Sequence, residues 1–249
     1  MPCHEVRPLS GINQEGYENY VLIVHDHYYS VDPLTIFAET LVSADEVKRA
    51  QVEKTTREQS QHLWFKEREC RLTASNFGKI CRTRDPEKLA RQLRMRSNFQ
   101  NNNMKWGLQM EGLARMRFEE ITDNRVVRCG LIIHPEKSYL AASCDGLIGN
   151  EGVLELKGLP SQKNYKISVN AVPYLQMIGW NVVLKRNYNY FYQVQGQLYV
   201  TGRQYCCFVV YTAVDMLIIE VERDNVFIQE MSLQLDKFYK EYFVPSLLS

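Results

Sequence analysis

The feature that most constrains this chain is a stretch of two short apolar segments joined by a turn, residues 143–157. Glycine and asparagine dominate residues 149–152, and the segment that follows alternates apolar and charged side chains. Both properties are typical of a β-hairpin. Because successive side chains of a strand point to opposite faces, Glu155 and Lys157 are expected on the same face.

Asp145 lies 10 positions before Glu155, on the opposite strand of the predicted hairpin. Pairing of the strands would bring both carboxylates close to the ammonium group of Lys157. Two carboxylates suit a hard divalent cation such as Mg²⁺, and a neighbouring lysine can orient or help deprotonate an attacking water. A surface hairpin with a Glu/Lys pair on its solvated face fits the same residues. The hairpin alone leaves both interpretations open.

Composition sets broad limits on the class of protein. Of 249 residues, 45% are hydrophobic and 24% charged, as in ordinary globular proteins. The 30 basic and 29 acidic residues nearly cancel, which neither supports nor excludes nucleic acid as a partner. Seven cysteines without zinc-binding spacing indicate reduced thiols, so we expect an intracellular protein, with nucleus or cytoplasm left open. The sequence has no apolar leader or membrane-spanning run, so we expect no membrane partner.

Two domain-level expectations follow from the N-terminal part of the chain. Residues 1–42 are interpreted as an irregular extension, and residues 43–249 as a single globular domain. Ser43 and Glu46 have the spacing of a capping box, which predicts a helix with Ser43 as its N-cap.

Three further segments carry polar groups suited to phosphate or metal. Thr73 and Ser75 stand at the start of a predicted helix, where free amides attract phosphate, although simple capping explains them equally well. The basic segment 82–105 can line a nucleic-acid path or form a solvated helix. Glu111 shares one side of an amphipathic helix with Arg115, and a carboxylate in a helix suited to burial needs a partner, of which a metal is one.

The C-terminal part predicts one helix before two strands. Residues 191–200 have helical spacing, with Gln193 and Gln197 one turn apart, and Gly202 is expected to end the helix. Two strands and a last helix are predicted after it, at residues 205–211, 216–221 and 227–243.

Taken together, these motifs resemble the YqaJ-like viral recombinase family, which includes lambda exonuclease, within the PD-(D/E)xK nucleases. The resemblance covers residues 64–211 and depends on the order and spacing of six motifs. They are Trp64 with Arg68, Arg71 to Ser75, Trp106-Gly107 with Glu111, Ser143 with Asp145-Gly146, Leu154 to Lys157, and Gln193-Val194-Gln195 with Leu198 to Thr201. The fold it implies is α/β, a restriction-endonuclease-like core with a mixed central β-sheet flanked by helices and the active site at one sheet edge.

The resemblance also implies a metal centre. Glu111, Asp145 and Glu155 would be the metal carboxylates, with the backbone carbonyl of Leu156 as a further ligand. Lys157 would position the nucleophilic water. Two Mg²⁺ ions, for which Mn²⁺ can substitute, would stabilise the attacking and leaving oxygens of a phosphodiester.

A pocket for the 5′-phosphate of DNA is implied at Arg68, Ser75, Ser143 and Gln193. Gln195 takes the place of Gln193 if the helix register differs by two residues. A guanidinium group, two hydroxyl groups and an amide can all donate hydrogen bonds to phosphate oxygens.

The function implied is that of a Mg²⁺-dependent 5′-to-3′ exodeoxyribonuclease, which hydrolyses duplex DNA from a 5′-phosphorylated end in recombination or repair. The alternatives are a structure-specific or restriction-type endonuclease with the same metal core, and a non-catalytic DNA-end-binding module. The implied partners are DNA, further copies of the chain in a homo-oligomer, and a single-strand annealing protein. One departure from the family is Cys144, where a proline commonly precedes the metal aspartate; it replaces no ligand.

Overall fold

The computed structural model describes residues 42–59, 61–95 and 102–248, with the backbone alone at 102–109. The expectation of an irregular extension at residues 1–42 falls, except for its last residue, outside the described residues. Within the described ranges, no helix is both long enough and apolar enough to cross a membrane.

Helices occupy much of the described chain. They are α1 (Glu46–Thr55), α2 (His62–Glu69), α3 (Ala74–Arg82), α4 (Pro86–Arg94), α5 (Asn102–Thr122), α6 (Asn189–Thr201), α7 (Asn225–Phe238) and α8 (Val244–Leu248). A π-helical turn, Tyr239–Phe243, joins α7 to α8. The prediction of Ser43 as the first N-cap is wrong: α1 begins after Asp45, whose side chain accepts a hydrogen bond from the backbone N–H of Lys48.

Ten strands form three sheets among the described residues. They are β1 (Leu72–Thr73), β2 (Val126–Val127), β3 (Leu131–Ile133), β4 (Leu140–Ser143), β5 (Gly146–Ile148), β6 (Gly152–Gly158), β7 (Leu175–Ile178), β8 (Asn181–Leu184), β9 (Tyr205–Tyr211) and β10 (Met216–Glu222). The largest sheet has the order β10-β9-β6-β5-β2; the others are β1-β4-β3 and the hairpin β7-β8.

Strand β6 lies in the middle of the largest sheet, antiparallel to β5 and parallel to β9. This mixed pairing, with helices packed on the sheet, confirms the predicted α/β architecture. The strand that carries Glu155 and Lys157 is therefore a central strand of the sheet and not an edge strand. Strand β9 pairs with all seven residues of β6, and β5 pairs with its first three, so the side chains of β6 are held in a fixed register.

The two faces of β6 pack against different helices. Val153 belongs to the same core cluster as Val194 and Leu198 of α6, whereas Leu154 packs in a second cluster with Phe118 of α5. Since side chains alternate along a strand, Glu155 shares the face of Val153 and points towards α6. Burial on both faces explains why Val153, Leu154 and Leu156 are all apolar.

Helix α6 approaches α3 closely at Gly196. A Cβ atom placed at this glycine would lie 2.4 Å from the ring of Phe77, so no larger side chain fits without displacing that ring. The close approach lets the polar residues of α6 face β6. The helix ends, as predicted, at Gly202, which has a left-handed conformation with φ of 72°.

The hairpin β7-β8 was not predicted. Its four-residue strands are joined through Gly179 and Trp180, and Gly179 has a positive φ of 60° that favours glycine. Leu175 and Leu184 pair with each other where the hairpin leaves the core, and both are buried.

Candidate active site

The side chain of Glu155 is at the centre of the site and is only 2% exposed. Its Oε1 atom accepts hydrogen bonds from Gln193 Nε2, at 2.6 Å, and from Lys157 Nζ. Its Oε2 atom accepts a hydrogen bond of 2.5 Å from Gln197 Nε2. Both oxygens of this buried carboxylate are therefore satisfied by donors, as burial of a charge requires.

Asp145 reaches the same region from the opposite strand. Gly146 pairs with Leu154, so one step further along the hairpin brings Asp145 level with Glu155. The Oδ2 atom of Asp145 accepts a hydrogen bond of 2.6 Å from the backbone N–H of Leu156. Burial, followed by the negative charges of Glu155 and Glu111, raises the pKa of Asp145 well above its usual range.

Glu111 on α5 supplies a third acidic group. Its Oε1 atom accepts a hydrogen bond of 2.7 Å from Arg115, one helical turn away. Burial raises the pKa of Glu111, an effect that the charge of Glu155 increases and that of Arg115 opposes. A carboxylate buried at this position needs a partner, and in the structure that partner is Arg115.

Lys157 is held as an ammonium group. Burial alone would lower its pKa, but the carboxylates of Glu155 and Asp145 outweigh that effect and raise the pKa above the usual lysine value. The Nζ atom also lies 4.9 Å from the ring centroid of Tyr190. A protonated lysine can orient water and balance phosphate charge, whereas it is a poor proton acceptor.

The donor chemistry of this group fits a divalent metal ion. Three carboxylates and a backbone carbonyl are oxygen ligands of the kind that Mg²⁺ takes. The pKa values of Asp145 and Glu111 are raised by burial and then by neighbouring carboxylates, and a bound cation would favour the charged form of both groups. Within the described ranges, however, no three Asp, Glu, His or Cys side chains converge closely enough to hold a metal. Glu111 forms an ion pair with Arg115, and Glu155 forms one with Lys157.

A second polar group surrounds the hydroxyl of Ser143. This hydroxyl accepts hydrogen bonds from Trp64 Nε1, at 2.9 Å, and from a terminal nitrogen of Arg68, at 3.2 Å. The guanidinium group stacks over the Trp64 ring, 3.9 Å from its centroid. Stacking fixes the plane of the guanidinium group and thereby the direction of its donors.

Hydroxyl groups at the start of α3 complete this second group. Thr73 Oγ1 lies 3.4 Å from Arg68 and 3.3 Å from Ser75 Oγ, and it accepts a hydrogen bond of 2.9 Å from Asn76. Thr73 occupies the N-cap position but makes no capping hydrogen bond with its side chain. Ser75 is exposed, so the group opens to solvent. Of the predicted phosphate residues, Arg68, Ser75 and Ser143 thus come together, joined by Trp64 and Thr73.

The three glutamines of α6 have different surroundings. Gln193 donates to Glu155 and so joins the carboxylate group. Gln195 points elsewhere: its side chain donates to the carbonyl of Glu222, at 2.8 Å, and accepts from the N–H of Asp224, at 2.9 Å. It therefore does not replace Gln193 at this site, and the fallback prediction is not supported by its position.

Gln197 is the residue of the site that sequence reasoning missed. Besides donating to Glu155, its Nε2 atom lies 3.4 Å from the backbone carbonyl of Ser143. It is completely buried, and within the described residues its Oε1 atom has no hydrogen-bond partner. The spacing of four residues from Gln193 was the available signal, since it places both amides on one helix face.

A central mixed sheet whose middle strand carries Glu-x-Lys opposite an aspartate defines an α/β protein of nuclease type. The model of the YqaJ-like viral recombinase domain matches residues 63–204, more than half of the chain. The chain therefore belongs to the YqaJ-like viral recombinase family, as its motifs predicted.

Solved structures show the same relationship. The chain is similar to LHK-Exo, an alkaline exonuclease from Laribacter hongkongensis, with 26% identity and a TM-score of 0.62 over 76% of this chain and 95% of that one. The complex of LHK-Exo with dAMP gives 26% identity and a TM-score of 0.63 over the same shares. The KSHV SOX RNA complex has the same fold at 12% identity, with a TM-score of 0.52 over 87% of this chain and 79% of that one. A comparison with curated proteins by sequence gave no match.

Proposed function

We propose that this protein is a metal-dependent deoxyribonuclease that degrades duplex DNA in the 5′-to-3′ direction from a 5′-phosphorylated end. The observation that carries the proposal is the position of Ser143. Its hydroxyl is bonded to Arg68 and Trp64, and its main chain continues within two residues to Asp145. One short segment thus connects a group suited to phosphate with a group suited to a metal.

The Arg68 group has the chemistry of a phosphate pocket. A terminal phosphate carries close to two negative charges near neutral pH and three acceptor oxygens. Arg68 supplies a fixed cationic fork, while the hydroxyls of Thr73, Ser75 and Ser143 lie beside it. Charge-assisted hydrogen bonds of this kind are stronger than neutral ones, so a phosphorylated end is favoured over a hydroxyl end.

The carboxylate group supports hydrolysis of the neighbouring phosphodiester. Asp145, Glu155 and Glu111 would hold Mg²⁺ or Mn²⁺, with the Leu156 carbonyl beside them; when bound, such ions activate water and stabilise charge on the phosphate. Lys157, as an ammonium group, orients the attacking water and balances phosphate charge. Gln193 and Gln197 hold both oxygens of Glu155 in a fixed direction.

The proximity of the two groups supports the proposed direction of digestion. A 5′-phosphate bound at Arg68 would place the first nucleotides of that strand next to Asp145 and Glu155, so cleavage would release them from the end. The similarity to an alkaline exonuclease supports this proposal. We further propose recombination or repair as the setting, with a homo-oligomer and a single-strand annealing protein as partners.

Digestion of two DNA forms tests the proposal. Purified protein with Mg²⁺ is given linear 5′-phosphorylated duplex and covalently closed circular DNA, with EDTA and Lys157→Ala as negative controls. We expect degradation of the linear form only, lost with EDTA and reduced at least about 100-fold in Lys157→Ala. The exposed Lys240 provides a matched control, since Lys240→Ala should act like the wild type.

Other results would favour the alternatives. Cleavage of the closed circle, which has no end, would indicate an endonuclease. Binding of DNA ends without any metal-dependent cleavage would indicate a binding module. An intact linear duplex, with wild type and Lys157→Ala behaving identically, would refute the catalytic proposal.

A further inference from the structure

The tip of the β7-β8 hairpin exposes three large apolar side chains. Trp180 is 97% exposed, Ile178 60% and Met177 47%. A tryptophan is rarely left in water in this way, because its ring is among the largest apolar surfaces a residue can bury. Exposed apolar side chains clustered at one tip therefore indicate a surface that contacts a ligand.

The root of the hairpin is rigid and adjoins the site. Tyr174, immediately before β7, is buried with its ring centroid 4.7 Å from that of Tyr190. The ring of Tyr190 in turn lies 4.9 Å from Nζ of Lys157. Strands of this length extend roughly 10 Å from root to tip. A few nucleotides of DNA are therefore long enough to reach from the site to Trp180.

The charge of this part of the chain favours a polyanion. The sequence contains no Asp or Glu between Glu155 and Asp215, while six basic residues fall in that interval: Lys157, Lys163, Lys166, Lys185, Arg186 and Arg203. Lys163 and Lys166 are exposed.

We propose that Trp180 is a stacking platform for an unpaired base of the DNA, at the junction where the strands separate beside the active site. This inference rests on the proposed nuclease function and adds to it the contact with the unpaired strand. Every base has a π-face, so an exposed indole on a basic surface can hold a single strand without reading its sequence.

Binding without cleavage tests the inference. The full chain is titrated in EDTA with a 5′-phosphorylated duplex that carries a short 3′ overhang with 2-aminopurine at its first unpaired position. We expect the wild type to quench the 2-aminopurine, and Trp180→Ala to abolish the quenching and weaken binding by about 5- to 100-fold. Trp180→Phe, which retains an aromatic face, should recover most of both signals.

Leu233→Ala is the matched control, because Leu233 is an exposed apolar side chain on α7. Both alanine variants should melt within about 2 °C of the wild type, since exposed side chains contribute little to folding. Equal quenching and affinity in Trp180→Ala and Leu233→Ala would overturn the inference. So would a wild-type oligomer that dissociates in Trp180→Ala, since the tip would then contact a second copy.

Failure of the stacking contact and failure of the nuclease activity give different experimental results. An active Trp180→Ala enzyme with wild-type binding would refute the stacking platform and leave the nuclease proposal intact. If the wild type binds the overhang duplex and quenches its 2-aminopurine in EDTA but leaves linear DNA uncut with Mg²⁺, the nuclease proposal is refuted and the stacking platform remains.

Discussion

The side-chain amide of Gln197 donates a hydrogen bond of 2.5 Å to Oε2 of Glu155. The same nitrogen lies 3.4 Å from the backbone carbonyl of Ser143. Gln197 therefore connects the carboxylate on β6 to the segment that carries Ser143, the hydroxyl proposed to bind phosphate. Residues that orient a metal ligand in this way affect activity although they do not contact the metal.

Replacing Gln197 should reduce activity more than stability. Gln197→Met keeps the volume but removes the donor to Glu155, and we expect DNA cleavage with Mg²⁺ to fall by about 10- to 100-fold. Loss of stability should be small, because the substitution also removes the buried Oε1 atom that has no partner among the described residues. Cleavage rates over a range of Mg²⁺ concentrations, together with thermal melting, measure the two effects.

Gln195 offers a matched control on the same helix. It is equally buried but bonds to the backbone of Glu222 and Asp224, at the end of β10. Gln195→Met should therefore lose about 1–3 kcal/mol of stability, while the folded protein keeps its specific activity. Equal loss of activity in both variants would show that Gln197 has only a structural role.

The local parts of the site could be predicted from sequence. Asp145, Glu155 and Lys157 lie on one hairpin whose register follows from period-two alternation and a short turn. The spacing of Gln193 and Gln197 places both amides on one face of α6, but the contact of Gln197 with Glu155 could not be predicted, because it depends on how α6 packs between α3, at Gly196 and Phe77, and β6. Tertiary contacts of this kind leave no periodic signal in the sequence.

The hairpin β7-β8 was missed for a different reason. Its tip residues Met177, Ile178 and Trp180 are apolar and exposed, so the segment has no alternation of apolar and polar side chains. Sequence patterns identify strands by which side chains face a core, and the fully buried residues of this hairpin, Leu175 and Leu184, lie at its root. Exposure of these side chains is the basis of the DNA contact proposed for the tip.

Divalent metal should stabilise the protein through Asp145. Its raised pKa shows that a charge at this position is unfavourable in the metal-free protein. Adding Mg²⁺ to EDTA-treated protein should raise the melting temperature by about 2–4 °C at roughly five times the dissociation constant. Asp145→Asn should abolish this increase, although its own melting temperature in EDTA should equal or exceed that of the wild type.

The exposed Asp123 provides the control for this measurement. Its φ of 55° is tolerated by asparagine, so Asp123→Asn should leave both the fold and the metal response unchanged. A melting temperature that rises equally with Mg²⁺ in wild type and Asp145→Asn would place the metal elsewhere.

His134 should make the fold sensitive to acid. Burial lowers its pKa to about 4, and its Nδ1 atom accepts hydrogen bonds of 3.1 Å from the N–H groups of Glu136 and Lys137. The unfolded chain binds this proton at about pH 6.5. The stabilisation of the folded state by neutral His134 is therefore complete above pH 6.5 and decreases as the pH falls towards 4. The free energy of unfolding should decrease by roughly 1–2 kcal/mol between pH 6.5 and 5.

Urea unfolding at several pH values measures this effect. His134→Asn keeps an acceptor near the two N–H groups but does not titrate, so its unfolding free energy should depend less steeply on pH in this window. Identical slopes for wild type and His134→Asn would contradict the assignment of the effect to His134.

The most direct test of the account compares the two chemical forms of a DNA end. A linear duplex labelled at its 3′ ends is digested with Mg²⁺ after preparation with either 5′-phosphate or 5′-hydroxyl groups. The wild type should degrade the 5′-phosphorylated duplex at least about 10-fold faster than the 5′-hydroxyl duplex. Arg68→Gln, which removes the charge beside Ser143, should lose this preference. Equal rates on both ends by the wild type would contradict the account.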